Sequence, residues 1–211
     1  MPGLIRGIEP STVAANLERV REVAGEGVEL LAATKYVALE EMGALAVAGV
    51  RLVGENRQQD LAAKHERWGD AFEWDFIGNL QSRKVKHLVP ICRLIHSLAT
   101  SSACEQLDRH ATAATEVLVE VNVAGEEGKG GVAPAELGAF IERCPARVVG
   151  LMTMPPFSTD PEDSRSHFAR LAELAAEHGL ERLSMGTSQD WRVAVEEGAT
   201  IIRLGTALYT A

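Results

Sequence analysis

The stretch ELLAATKYVALEEM, residues 29–42, changes its period in the middle. Leu30, Leu31, Ala32 and Ala33 form a continuous apolar run, as expected of a strand buried on both faces, and the run stops on Lys35. From residue 39 the apolar spacing becomes helical. A strand followed by a helix, if repeated, builds a parallel sheet, because consecutive parallel strands need a crossover and a helix provides it.

The unit does repeat. Residues 30–34, 51–54, 74–78, 94–98, 116–123, 148–154, 182–186 and 200–205 read as strands, with helices at 39–48, 56–67, 80–89, 101–113, 134–143, 161–177 and 188–197. Eight such units are the count of a closed (β/α)8 TIM barrel of the α/β class, and 211 residues lie near that fold's lower limit of about 200. A further helix precedes the first strand. Pro10 and Ser11 open an amphipathic pattern that runs through residues 16–23 and ends at Gly25 and Gly27. After the last strand, IIRLGTALYTA leaves too little chain for a full helix, so the leading helix is expected to fill that gap in the outer ring. A doubly wound open sheet is the alternative, but no G-x-G-x-x-G follows an early strand. Without a linker, a low-complexity stretch or an internal repeat, residues 1–211 read as a single domain.

Composition narrows the function classes. The net charge is −9, acidic and basic residues are mixed along the chain, and 46% of residues are hydrophobic. This is no nucleic-acid footprint, and the apolar fraction suffices for a sizeable core. The first residues lack the apolar core of a signal peptide and no run approaches 18 apolar residues, so neither a membrane span nor export is expected and the reading is cytoplasmic. Cys92, Cys104 and Cys144 fit neither a disulfide framework nor a CxxC site, and the six histidines show no H-E-x-x-H, so no metal site is expected. Ser97 and Ser188 lack the G-x-S-x-G elbow of an acyl hydrolase. QSRKVKH, residues 81–87, reads as a small basic face on a solvated helix.

In a barrel all strand C-termini open on one mouth. The chain's strand ends supply Lys35, Glu55, Asn56, Asn79, Ser97, Asn122, Met154, and the runs SMGTSQD (residues 184–190) and RLGTA (residues 203–207). Either of the last two alone is ordinary turn chemistry. Together, past strands seven and eight, they mark where phosphate binds in this fold: Gly186 and Gly205 allow close backbone approach, while Thr187 or Ser188 can cap the next helix. Lys35, placed across the mouth, is then either a solvated strand end or an amine suited to a Schiff base with a phosphorylated aldehyde. Arg203, at an inward position of the last strand, either pairs with a carboxylate or donates to a ligand.

The motifs AATKY, LVGENRQQ, WDFIGNLQSRK, GLMTMPP, LSMGTSQDW and IIRLGTALY, in this order from about residue 30 to 209, resemble the YggS/PROSC family of pyridoxal phosphate (PLP) homeostasis proteins. The resemblance implies a barrel like the N-terminal domain of alanine racemase, with PLP held as an internal aldimine on Lys35. It places Asn56 beside the cofactor, Arg203 at the pyridine nitrogen, and Ser188, Gly205 and Thr206 on the phosphate. Arg83 stands where many members have asparagine. The implied role is to bind PLP and buffer it or deliver it to PLP-dependent apo-enzymes, as a monomer or weak dimer, with no assigned catalytic residue. An arginine at the ring nitrogen makes the ring a poorer electron sink. Of the two tyrosines, Tyr36 and Tyr209, the first follows Lys35 directly and should face the other way if the strand continues. The alternatives are a PLP-dependent racemase or lyase of the alanine-racemase type, and a cofactor-free aldolase using Lys35, for which only Glu55 offers an acid or base.

Overall fold

The computed structural model describes residues 3–210. Its strands are β1 (Glu29–Ala33), β2 (Leu52–Glu55), β3 (Glu73–Phe76), β4 (Leu94–Leu98), β5 (Glu116–Glu120), β6 (Arg147–Met152), β7 (Arg182–Thr187) and β8 (Ile201–Leu204). Each pairs in parallel with the next, and β8 pairs back onto β1 with Leu31 opposite Arg203, so the barrel is closed. The helices are α1 (Pro10–Ala24), α2 (Met42–Val47), α3 (Gln58–Trp68), α4 (Val85–Leu88), α5 (Ser101–His110), α6 (Leu137–Glu142), α7 (Arg165–Glu177), α8 (Trp191–Glu196) and α9 (Thr206–Tyr209).

The leading helix does fill the eighth outer position. It packs on α2, α8 and the single turn of α9, where the buried Asn16 amide donates to the carbonyls of Leu208 (3.1 Å) and Thr210 (2.9 Å). Those last carbonyls have no partner within so short a helix, and a side-chain donor satisfies them.

Several strands stop earlier than their expected runs, while β2 and β7 each end one residue later. The run 116–123 ends as a strand at Glu120; Val121 still donates its N–H to the Met152 carbonyl (2.8 Å) and also bridges Val132. The run 148–154 ends at Met152. Similarly, the helices expected to start at residues 56 and 188 start at Gln58 and Trp191, which leaves Asn56 and Ser188 on loops over the rim.

Alternation divides the core in two. Outward positions such as Ala32, Trp74, Phe76, Val117, Leu151, Ile202 and Leu204 face the helices. Inward positions Leu31, Leu52, Leu94, Leu118, Met152 and Ile201 fill the barrel. Asp75, His96, Ser184 and Arg203 occupy the other inward places, all nearly or wholly buried. They form one hydrogen-bonded column. Arg203 Nη1 donates to Ser184 Oγ (2.6 Å), the Ser184 hydroxyl meets His96 Nδ1 (2.8 Å), and His96 Nε2 meets Asp75 Oδ2 (3.0 Å). Arg93 closes the column from the strand N-termini, donating to both Asp75 oxygens (3.0 and 2.7 Å) and to Glu29 (3.1 and 2.8 Å).

The partners fix the protons. A carboxylate accepts from His96 Nε2–H, so Nδ1 is left to accept from Ser184. Burial, together with the nearby Arg203 and Arg93, holds the His96 pKa below its ordinary 6.5. Hydrogen bonds from His96 and Arg93 hold Asp75 below 3.8 despite its burial.

Two predictions follow from this packing. A depressed histidine pKa means that the unfolded chain binds more protons just below pH 6.5, so stability falls as the pH drops through that window, by up to about 1.4 kcal/mol per pH unit for one group. His96→Asn should flatten the unfolding free energy measured between pH 7 and 5; a slope identical to that of the parent would contradict the neutral assignment. Gly150 lies opposite Arg182 on β7, and a Cβ there would sit 1.9 Å from the Arg182 carbonyl oxygen. Gly150→Ala should therefore cost about 1–3 kcal/mol, read as a lower urea midpoint at unchanged slope.

Candidate functional site

Lys35, Asn56, Ser188, Arg203, Gly205 and Thr206 all line one cleft of about 330 Å3 at the C-terminal mouth of the barrel. The cleft's volume falls within the range of about 300–1,000 Å3 common for small-molecule sites. Tyr36, Ile77, Met154, Thr187, Gln189 and Tyr209 complete its wall. A second cleft of about 510 Å3 adjoins it outside the rim, sharing Lys35, Tyr36 and Asn56 and adding Arg57, Asp60 and Lys64.

Lys35 is not a strand end. β1 stops at Ala33, and Lys35 and Tyr36 occupy a turn closed by the Val37 N–H donating to the Thr34 carbonyl (2.8 Å). Strand alternation no longer applies there, so the expectation that Tyr36 faces away from Lys35 is corrected. Both line the mouth, with Lys35 Nζ 5.1 Å from the Tyr36 ring centroid. Lys35 is exposed rather than desolvated. Nor does it lie across the mouth from the glycine and hydroxyl groups. Because β8 pairs with β1 and β7 with β8, amine, guanidinium and glycine turn stand on neighbouring strands.

Arg203 forms the floor. Besides Ser184, its Nη2 donates to the Thr153 carbonyl (2.9 Å) and approaches Met154 Sδ (3.0 Å). Among the described residues no carboxylate pairs with it directly. Burial pulls its pKa down to about 10, against the pull of Asp190 and Glu120, so it is still a cation at neutral pH and can only donate.

The Gly205 turn has a different internal order from the expected one. Ser188 Oγ accepts from the backbone N–H groups of Gly205 (3.0 Å) and Ala207 (3.4 Å). Two amides thus already converge on one oxygen, the arrangement an oxyanion uses. Neither Ser188 nor Thr187 caps α8. The cap position is Asp190, whose Oδ1 accepts from both the backbone N–H (2.7 Å) and the hydroxyl (3.1 Å) of Thr187. Gly186 is required for packing: its φ is +86°, and a Cβ would meet the Ala194 Cβ at 2.5 Å.

Other strand-end residues are used up structurally. Ser97 donates to the Gly78 carbonyl, and Asn122 holds the Glu126 backbone (2.9 and 3.2 Å). Arg83 is bound only to Gln81, on the exposed side, and lines neither cleft. Glu55 is wholly buried beneath the mouth and bound to Lys64 and Thr34, which removes it from acid or base duty at Lys35. Tyr209 is also withdrawn. Its hydroxyl donates to the Ala33 carbonyl (3.1 Å), and burial beside Glu55 pushes the phenol well above its ordinary pKa.

The site accommodates a flat phosphorylated aldehyde. It offers an amine, a buried guanidinium, a pair of amides converging on an oxygen, and a buried Asn56 Oδ1 without a partner. Sequence reasoning missed Ile77 and the supporting Asp75 and His96, and it took Ser184 and Gln189 only as part of the SMGTSQD run. Asp75 and Ser184 carried a signal: each is a polar residue between two large apolar neighbours within a strand, Trp74 and Phe76 or Leu183 and Met185.

Comparison with known proteins points the same way. Residues 8–211 match the family model of the alanine racemase N-terminal domain. A pyridoxal phosphate homeostasis protein from Aquifex aeolicus (strain VF5) is 42% identical over 94% of this chain and 95% of its own. PipY of Synechococcus elongatus PCC7942 superposes with a TM-score of 0.84 at 32% identity in its structure without PLP, and 0.82 at 31% with PLP bound, each covering 94% of this chain and 100% of PipY. The chain belongs to the alanine racemase N-terminal domain family, in the branch of the pyridoxal phosphate homeostasis proteins.

Proposed function

We propose that this protein binds pyridoxal 5′-phosphate in the mouth cleft, with Lys35 as its covalent anchor, and that it serves PLP homeostasis by holding and releasing the cofactor rather than turning over a substrate. The observation that carries the reading is the convergence of Lys35, Arg203 and the Gly205–Ser188 turn in one cleft of suitable size. PLP supplies an aldehyde that condenses with a primary amine, and a pyridine ring that draws electrons from an attached carbon most strongly when its nitrogen is protonated.

Lys35 would hold the aldehyde carbon, and Asn56 would lie against the ring. Arg203 would donate to the ring nitrogen from the floor. The amides of Gly205 and Ala207, with Ser188 and Thr206, would take the phosphate. A guanidinium held by Ser184 and Thr153 has no lone pair and keeps its proton at neutral pH, so a nitrogen beside it accepts a hydrogen bond and stays unprotonated. Tyr209, a tyrosine in the wall of the cleft, is tied to the Ala33 carbonyl. Both features favour holding over turnover. Among the described residues no helix is long and apolar enough to cross a membrane; a cytoplasmic protein, a single domain, a monomer or weak dimer, and PLP-dependent apo-enzymes as recipients complete the proposal.

The test is an absorption spectrum of the purified protein with added PLP, before and after borohydride reduction, followed by peptide mapping. A visible band lost on reduction, with pyridoxyl label on Lys35, is expected, and Lys35→Ala should lose both. An undiminished label in that variant would sink the assignment. Loss of α-deuterium from amino acids far above the rate of free PLP would instead establish the racemase or lyase alternative.

A further inference from the structure

The side chain of Lys35 is exposed, with its ammonium 5.1 Å from the centroid of the neighbouring Tyr36 ring, so its place in the mouth depends on how its backbone is held. That backbone is pinned one residue earlier. Thr34 is wholly buried, and each of its polar groups is engaged. Its N–H donates to the Gly54 carbonyl (2.9 Å), its hydroxyl to Glu55 Oε1 (2.7 Å), and its carbonyl accepts from Val37 N–H (2.8 Å). The same carbonyl accepts from a side chain as well: Lys64 Nζ, 2.7 Å away.

Lys64 comes from α3 and is 6% exposed. Its ammonium is also 2.5 Å from Glu55 Oε1, a fully buried carboxylate. This pair is poorly built for stability. Glu55 loads both donors onto one oxygen and leaves Oε2 buried with no partner, and a buried ion pair with unmet lone pairs is commonly no better than an apolar pair of the same shape. What the ammonium adds is direction: a charged donor aimed at the carbonyl from which the Lys35 turn departs, in addition to the turn's own bond.

We propose that Lys64, held by Glu55, is a positioning residue for Lys35, fixing the Thr34–Val37 turn so that the Lys35 amine enters the mouth cleft in reach of the bound aldehyde. The proposal rests on the PLP reading above. The step it serves is balanced: the Lys35 amine adds to the aldehyde carbon, and a C=N bond forms as the carbonyl oxygen leaves as water with both amine protons. Lys64 touches none of these atoms.

The test separates covalent from non-covalent binding. PLP needs Lys35, whereas 4′-deoxypyridoxine 5′-phosphate, which carries a methyl in place of the aldehyde, uses only the ring and phosphate contacts. The isosteric double variant Glu55→Gln/Lys64→Met removes the ammonium without leaving a buried charge. It should bind PLP about tenfold more weakly than the parent, bind the deoxy compound within twofold of the parent, and unfold at a similar temperature. Lys64→Arg keeps the buried charges balanced while displacing the donor to Thr34, and should show the same split if the double variant does not fold. PLP affinity unchanged from the parent, or an equal loss for both ligands, overturns the proposal. The parent chain acts as the control: if it gains no reducible adduct on Lys35, the PLP reading itself fails, whereas a normal parent with an unsplit variant removes only the role of Lys64.

Discussion

The structure is organised by one buried charge. Asp75 sits in the barrel interior with no exposure, where an unpaired carboxylate is prohibitively costly. Arg93 reaches it from the strand N-termini, and His96 supplies the remaining donor. Once His96 gives its Nε2–H to Asp75, its Nδ1 can only accept, which recruits the Ser184 hydroxyl. Ser184 in turn has an oxygen free to accept from Arg203. The guanidinium on the floor of the mouth is thus oriented by a carboxylate two side chains further into the barrel. Remove the charge at Asp75 and each later link loses its reason for pointing as it does.

The column also explains the division of the barrel into a closed end and an open one. Leu31, Leu52, Leu94, Leu118, Met152 and Ile201 pack the interior around it. Above the level of Arg203 the strands have ended, the loops diverge, and the cleft opens. Closure of β8 onto β1 then sets the lateral arrangement: the amine-bearing turn stands beside the strand that carries the guanidinium and the glycine turn, so a single small planar molecule can meet all three.

Much of this was legible in the chain. Eight apolar runs separated by helical spacing became eight strands, because strands buried on both faces are written mostly with apolar residues. The six candidate binding residues fell in one cleft because closure forces every strand C-terminus to one rim. Boundaries were less legible. The apolar run carries on past the end of the strand wherever the following loop is itself packed inward, as at Val121, and this displaced the expected orientation of Tyr36. Side-chain partnerships were hardest to see. Nothing in KHERW marks Lys64 as buried, since a lysine on a helix is ordinarily solvated, and the position before α8 fell to Asp190, whose carboxylate bonds back to Thr187 instead of capping the helix. Only three-dimensional packing says which polar residue meets which.

The exposure of Lys35 bears directly on what the site is for. Enzymes that carry reactive carbanions close over them to exclude water. Here the amine stands at an open rim beside a second cleft, so water can reach any C=N bond formed there, and hydrolysis simply reverses the condensation that made it. For turnover such access is a liability. For a protein that takes up a reactive aldehyde and surrenders it intact it is a requirement, and the proposed donation from Arg203 to the ring nitrogen, which leaves that nitrogen unprotonated, fits the same task. A column-braced floor combined with an accessible anchor therefore fits reversible storage, in which the phosphate and ring contacts hold the molecule, the Lys35 linkage adds to its affinity, and access of water or an acceptor amine lets it go.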